Sequence, residues 1–80
     1  MTPEIKQYYE ERFSMMTAVG WRDFLEDINN LKAPLEDITT IKTVDMLYFR
    51  QGQLDILNWV LGLRDISEQT YEELSFEENL

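Results

Sequence analysis

Residues 43–66 constrain this chain more than any other part of it. On a helical wheel at 100° per residue, Gln51, Asp55, Asn58 and Gly62 share one narrow polar stripe, spaced 4, 3 and 4. Nearly everything else is apolar: Met46, Leu47, Phe49, Leu54, Ile56, Leu57, Trp59, Val60, Leu61 and Leu63. Thr43 is a good N-cap, and Asp45 puts a carboxylate in the first turn, where the helix dipole favours an anion. The pattern predicts a helix from Thr43 to about Ile66. Its apolar arc exceeds the ~100° that a surface helix needs to face its own core. Such a helix has to be covered on more than one side.

Two shorter amphipathic segments precede it. In the first, Thr2 caps, Pro3 fits the first helical position, and Ile5, Tyr8, Tyr9, Phe13 and Met16 form one stripe. The Ala18-Val19-Gly20 step is expected to end or bend this helix. The second runs from about Trp21 to Leu31, with Trp21, Phe24, Leu25, Ile28 and Leu31 on its apolar face. Pro34 is expected to end it, because the residue before a proline is pushed out of the helical region. Residues 32–42 read as a connector with room for a helical turn at 34–38, pinned by Leu35, Ile38 and Ile41. Ser67 to Leu74 either continues the long helix or restarts as a short fourth helix capped by Ser67. Sustained period-2 alternation and Asn-Gly or Asp-Gly hairpin signals are missing. The expected fold is all-α: a small helical hairpin or bundle of three main helices, with a short C-terminal fourth as an option. Residues 1–74 would form a single domain and 75–80 a flexible acidic tail.

Eighty residues make one small domain, whose core alone supplies only ~3–5 kcal/mol. The sequence has no cysteine and no histidine. That excludes a disulfide staple, a Cys/His zinc site and a Cys–His or Ser–His nucleophile pair. Sixteen acids against seven bases give a net charge of −9, a sign that repels phosphate. Direct contact with nucleic acid is therefore not expected. The charge is uneven: after Arg64 there is no base, while Asp65, Glu68, Glu72, Glu73, Glu77 and Glu78 follow. No apolar run approaches the ~18–20 residues that span a bilayer, so no membrane partner is expected. Met1-Thr2-Pro3-Glu4 lacks the basic and apolar regions of a signal peptide, which points to an intracellular origin.

Several constellations invite a chemical reading. The pairs Glu10-Glu11, Glu26-Asp27, Glu36-Asp37, Glu72-Glu73 and Glu77-Glu78 could suggest acid/base work or a divalent metal. Neighbours on a helix diverge by 100°, so these carboxylates do not converge and read as solvated surface. No Asp-x-Asp-x-Asp-Gly calcium loop and no glycine-rich phosphate loop occurs. No catalytic, cofactor-binding or metal residues are assigned, and no cofactor is expected. Arg50 and Gln53 lie one turn apart within the apolar arc. Arg50 either pairs with an acid to fix register, or lays its stem on the core with its head in water. Arg64 reads as a cation near the C-terminal end of the long helix. Among the aromatics, Phe13, Trp21, Phe24 and Phe49 are expected in the core, whereas Tyr48 and Trp59 are better interface anchors. Met15-Met16 is either gap-filling core or an adaptable contact. Gly52 and Gly62, costly inside a helix, suggest close approach of another backbone.

Three segments carry a resemblance: Tyr8-Tyr9-Glu10-Glu11-Arg12-Phe13-Ser14-Met15-Met16, Gly20-Trp21-Arg22-Asp23-Phe24-Leu25-Glu26-Asp27, and Phe49-Arg50-Gln51-Gly52-Gln53-Leu54-Asp55-Ile56-Leu57-Asn58-Trp59. With them the chain resembles a family of short, mostly uncharacterised helical proteins of tailed bacteriophages, often short-tailed ones. The Phe-Arg-x-Gly-Gln step into a tryptophan-bearing helix carries most of the likeness, which spans about residues 8–74. It implies a phage product made in the host bacterial cytoplasm, with a virion or accessory role, and no catalytic residues.

The expected function is non-enzymatic protein–protein interaction through the apolar face of the 43–66 helix. The partner would be a second copy or another phage or host protein. Interface candidates are Tyr48, Arg50, Gln53, Trp59, Leu63 and Ile66. The alternative is an acidic inhibitor that imitates DNA and occupies the basic groove of a host polymerase or nuclease. An enzyme would need carboxylate-only chemistry in a chain too small for a deep pocket.

Overall fold

The structure, a computed structural model, describes residues 1–78. It is all-helical, with no strand among the described residues. Helix α1 spans Pro3–Met15, α2 Val19–Leu35, α3 Val44–Leu61 and α4 Leu63–Glu78, with one 3-10 turn at Ile38–Thr40 between α2 and α3.

The helix starts follow the expected capping chemistry. Thr2 Oγ1 accepts from Ile5 N–H at 3.2 Å, and Pro3 occupies the first turn. Thr43 Oγ1 accepts from Met46 N–H at 3.1 Å. Other boundaries moved. The break between α1 and α2 falls at residues 16–18, ahead of the expected Ala18-Val19-Gly20 step, and Gly20 lies in the first turn of α2. There Thr17 Oγ1 donates to Ser14 O, and Trp21 N–H donates back to Ala18 O.

Pro34 lies inside α2 and does not end it. Proline removes one backbone donor and crowds the carbonyl one turn back. In a final turn only one bond is lost, and Glu36 N–H still reaches Lys32 O at 3.2 Å.

The long helix expected to reach Ile66 is interrupted at Gly62. Ile66 N–H donates to Gly62 O at 3.0 Å, so Gly62 starts α4 as α3 finishes. The fourth helix is therefore a full element, and Ser67 lies within it rather than capping it. Arg64 falls in the first turn of α4, not near the C-terminal end of a helix. It pairs with Glu68 at 3.1 Å across exposed side chains, a contact worth only a few tenths of a kcal/mol. Helix α4 continues to Glu78, so the tail boundary expected at residue 74 falls inside it. Asn79 and Leu80 lie outside the described residues.

The chain resolves into two compact units. One holds residues 1–22 and the chain from Gly62 onward. In it α1 packs on α4 through aromatic rings. Tyr71 meets Tyr9 at 6.0 Å and Phe13 at 5.8 Å between centroids, both edge-on. Ser67 is 1% exposed, and its small side chain lets α1 and α4 approach. Its hydroxyl accepts from the Arg12 guanidinium at 3.3 Å, while Arg12 also donates to Tyr8 Oη and lies 4.6 Å from the Tyr8 ring centroid. Met16 and Leu63 are buried in this unit.

The second unit is Asp23–Leu61. Ile28 is its buried apolar residue on α2. Asp37 caps the 3-10 turn, its Oδ1 accepting from Thr39 N–H at 3.0 Å and Thr39 Oγ1 at 2.6 Å. Those two bonds, the hydroxyl's first, with a smaller pull from Arg50, hold the Asp37 carboxyl below its ordinary value of 3.8. A depressed carboxylate stabilises above its unfolded value, and that contribution fades as pH falls through the folded one. The stability gap between the natural chain and Asp37→Ala, read by urea unfolding, is therefore expected to be full at pH 5–7 and to shrink below pH 3.8. A gap that stays constant down to strong acid would rule out the carboxylate cap.

Candidate functional site

Helix α3 holds no buried residue. Its surface divides into two apolar arcs. Arg50, Gln53, Leu54, Leu57, Val60 and Leu61 are half-buried. Tyr48, Phe49, Ile56 and Trp59 are 66%, 70%, 65% and 52% exposed. Measured around the helix from Gly52 at 100° per residue, these four lie within about 50–60° on either side of it. The exposed arc is thus about as wide as the stripe one helix needs to bury against another. Each Ile or aromatic side chain left in water forgoes roughly 1.5–3 kcal/mol of burial.

Gly52 occupies the middle of this arc. A Cβ built there meets nothing within 4 Å. Among the described residues, nothing makes the close backbone approach suggested for Gly52. A helix-interior glycine still costs about 1 kcal/mol relative to alanine.

Among the described residues, Arg50 meets backbone carbonyls and a hydroxyl rather than an acid on another helix. Its guanidinium donates to Leu35 O at 3.1 Å, Asp37 O at 3.4 Å and Thr40 Oγ1 at 2.9 Å. It ties α3 to the end of α2 and to the 3-10 turn, where outward-facing carbonyls suit a cation. Gln53 is half-buried and lines a shallow groove of about 500 Å³ with Leu31, Pro34, Leu35, Ile56 and Leu57. A second opening shares Leu35 and Gln53 and adds Asp45, Met46, Phe49 and Arg50. Ile56 and Phe49 thus belong both to the exposed arc and to the walls of these openings.

Of the six interface candidates, Tyr48 and Trp59 share the exposed arc of α3. Ile66 is 42% exposed but lies on α4, beyond the break at Gly62 and in the other unit. Leu63, 8% exposed, belongs to the core of that unit rather than to an open face. Arg50 is engaged within its own unit, and Gln53 lines the openings beside it. Phe49, expected in the core, is the most exposed residue of the arc, and Phe24 is 44% exposed. The readable signal was the spacing Asp45, Phe49, Gly52, Ile56, Trp59, which runs 4, 3, 4, 3.

One further surface is acidic. Asp65, Glu68, Glu72, Glu73 and Glu77 are all exposed on α4. Among the described residues, no group of three or more acids is placed to hold a metal ion, and no helix is long and apolar enough to cross a membrane. No family model, no curated protein and no solved structure matches the chain.

Proposed function

We propose that this chain acts by protein–protein association through the exposed arc of α3, without catalysis, as an accessory or virion-associated component of a tailed bacteriophage. The observation that carries the reading is the set Tyr48, Phe49, Ile56 and Trp59, each more than half exposed around an open Gly52. Contiguous apolar surface of this kind marks an interaction site on a soluble protein. Aromatic side chains supply most of the energy of such interfaces. The phage assignment rests on the sequence resemblance alone.

The test is affinity capture from phage-infected cells with the tagged natural chain and with Phe49→Glu and Ile56→Glu. One defined partner, phage or host, is expected at constant stoichiometry with the natural chain and is lost with both variants. Equal recovery of the same partner by all three chains would sink the reading.

A second reading has its own support. As a continuous helix, α4 sets Asp65, Glu68 and Glu72 along one row and Glu73 and Glu77 along another. Two rows of carboxylates could face a basic groove in place of DNA phosphates. Glu72→Gln, Glu73→Gln and Glu77→Gln together keep the helix and remove that charge. On this reading the triple variant loses inhibition of a host polymerase or nuclease, and the natural chain loses it as salt rises. Inhibition that survives both changes excludes it.

A further inference from the structure

We infer that the exposed arc of α3 docks on the same arc of a second copy of this chain, with the two helices antiparallel. The inference rests on the reading of that arc as an association surface and names its occupant.

The register is the first argument. Phe49, Gly52, Ile56 and Trp59 follow the 3, 4, 3 spacing of a two-helix seam, with Phe49 and Ile56 in one kind of layer and Gly52 and Trp59 in the other. An antiparallel pair sets the two kinds of layer against each other. Gly52 then faces the partner's Ile56, and Phe49 faces the partner's Trp59. The gap above Gly52, open within the chain, is the size complement of an isoleucine 65% exposed one turn away. A parallel pair would instead set glycine on glycine, leaving a hole, and tryptophan on tryptophan.

Charge supplies the second argument. Helix α3 holds two acids and one base, Asp45, Asp55 and Arg50, while the whole chain carries −9. It is a low-charge place for two such acidic molecules to meet. Asp45 is exposed at the N-terminal end of the same seam. Parallel helices would bring two Asp45 carboxylates together. Antiparallel helices hold them roughly 25 Å apart at 1.5 Å per residue.

Area is the third. Aromatic side chains carry ~150–250 Å² each, so at their observed exposures the four residues offer roughly 500 Å² per copy. A symmetric pair covers about 1,000 Å² in total, at the lower edge of specific interfaces. The expected dimer is weak, with a dissociation constant of about 1–100 μM.

Sedimentation equilibrium of the full chain tests this over a range from about 1 to 300 μM. A monomer–dimer equilibrium is expected, and it tightens as salt rises, because the like charges of the two copies are screened. Phe49→Glu and Ile56→Glu should each weaken it more than tenfold, while Asn58→Glu, the same charge on the polar stripe, leaves it within about twofold. Far-UV circular dichroism at low concentration confirms that the variants stay helical. Orientation is read by disulfide trapping, since the chain has no cysteine of its own. A mixture of Gly52→Cys and Ile56→Cys should crosslink between the two variants, and neither should crosslink alone. Crosslinking of each variant with itself would overturn the antiparallel register. A monomer at every concentration would overturn self-docking, and if capture of a partner in infected cells still required Phe49 and Ile56, the association reading would stand without it.

Discussion

Tyr71→Ala is expected to destabilise the α1–α4 unit by about 3 kcal/mol, close to what a core of this size supplies in all. Tyr71 is half-buried on α4, and its ring is the one that meets both Tyr9 and Phe13 on α1. Each aromatic pair contributes roughly 0.5–1.5 kcal/mol beyond its buried area, and the truncated side chain also leaves a cavity. For a chain of this length the loss amounts to a drop in Tm of more than about 12 °C. Tyr71→Phe keeps the ring and is expected to lie within about 0.5 kcal/mol of the natural chain. Thermal unfolding followed in the far UV gives the stability. The near-UV tyrosine signal shows whether the ring cluster has come apart. Natural stability in Tyr71→Ala would mean that α1 is held to α4 by something other than these rings.

The aromatic cluster and the α3 arc show how much could be read from the sequence. Helix content, the caps at Thr2 and Thr43 and the stripe through Tyr9, Phe13 and Met16 follow from local chemistry, and local chemistry is written in neighbouring residues. The excess apolar arc of the third helix was equally visible, because it depends only on a 100° repeat. Breaks were harder to place. Pro34 near a helix end and Gly62 within an apolar run each permit continuation or a stop, and the choice depends on what packs beside them. Ser67 illustrates the limit best. A serine just past a long apolar helix looks like a cap, yet it lies within α4, buried against α1 with its hydroxyl accepting from Arg12.

The exposure of α3 was legible only in part. The pattern marks Tyr48 and Trp59 as surface residues, and both are more than half exposed. For Phe49 the sequence predicts a core position, since a phenylalanine in a small domain usually has to be there. It is instead 70% exposed, on the open side of α3. Arg50 is tied to the α2 end and the 3-10 turn on the other side of α3. Phe49 lies 100° away from Arg50 around the helix. No pattern within α3 alone contains the carbonyls that Arg50 reaches.

Arg50 therefore has a role separable from docking, and a substitution there separates the two. Arg50→Leu is expected to cost about 2 kcal/mol, since hydrogen bonds from a charged donor are worth roughly 1.5–3 kcal/mol and Leu35 O and Asp37 O lose theirs. In Tm this is a fall of about 8–16 °C. Arg50→Lys should recover only part of the loss, because its shorter side chain has to bring the ammonium to the place of Nη1, the nitrogen that meets Leu35 O, Asp37 O and Thr40 Oγ1. The Asp37 carboxyl should titrate slightly higher in Arg50→Leu, the natural cation having helped to hold it down. Arg50 lies about 160° around α3 from Gly52, on the opposite side from the exposed arc. At temperatures where Arg50→Leu remains folded, its self-association should match that of the natural chain within about twofold. Equal loss of stability and of dimer would show that the arginine sets the exposed arc as well as the fold. Loss of dimer with unchanged stability would move Arg50 to the docking surface and out of the α2–α3 link.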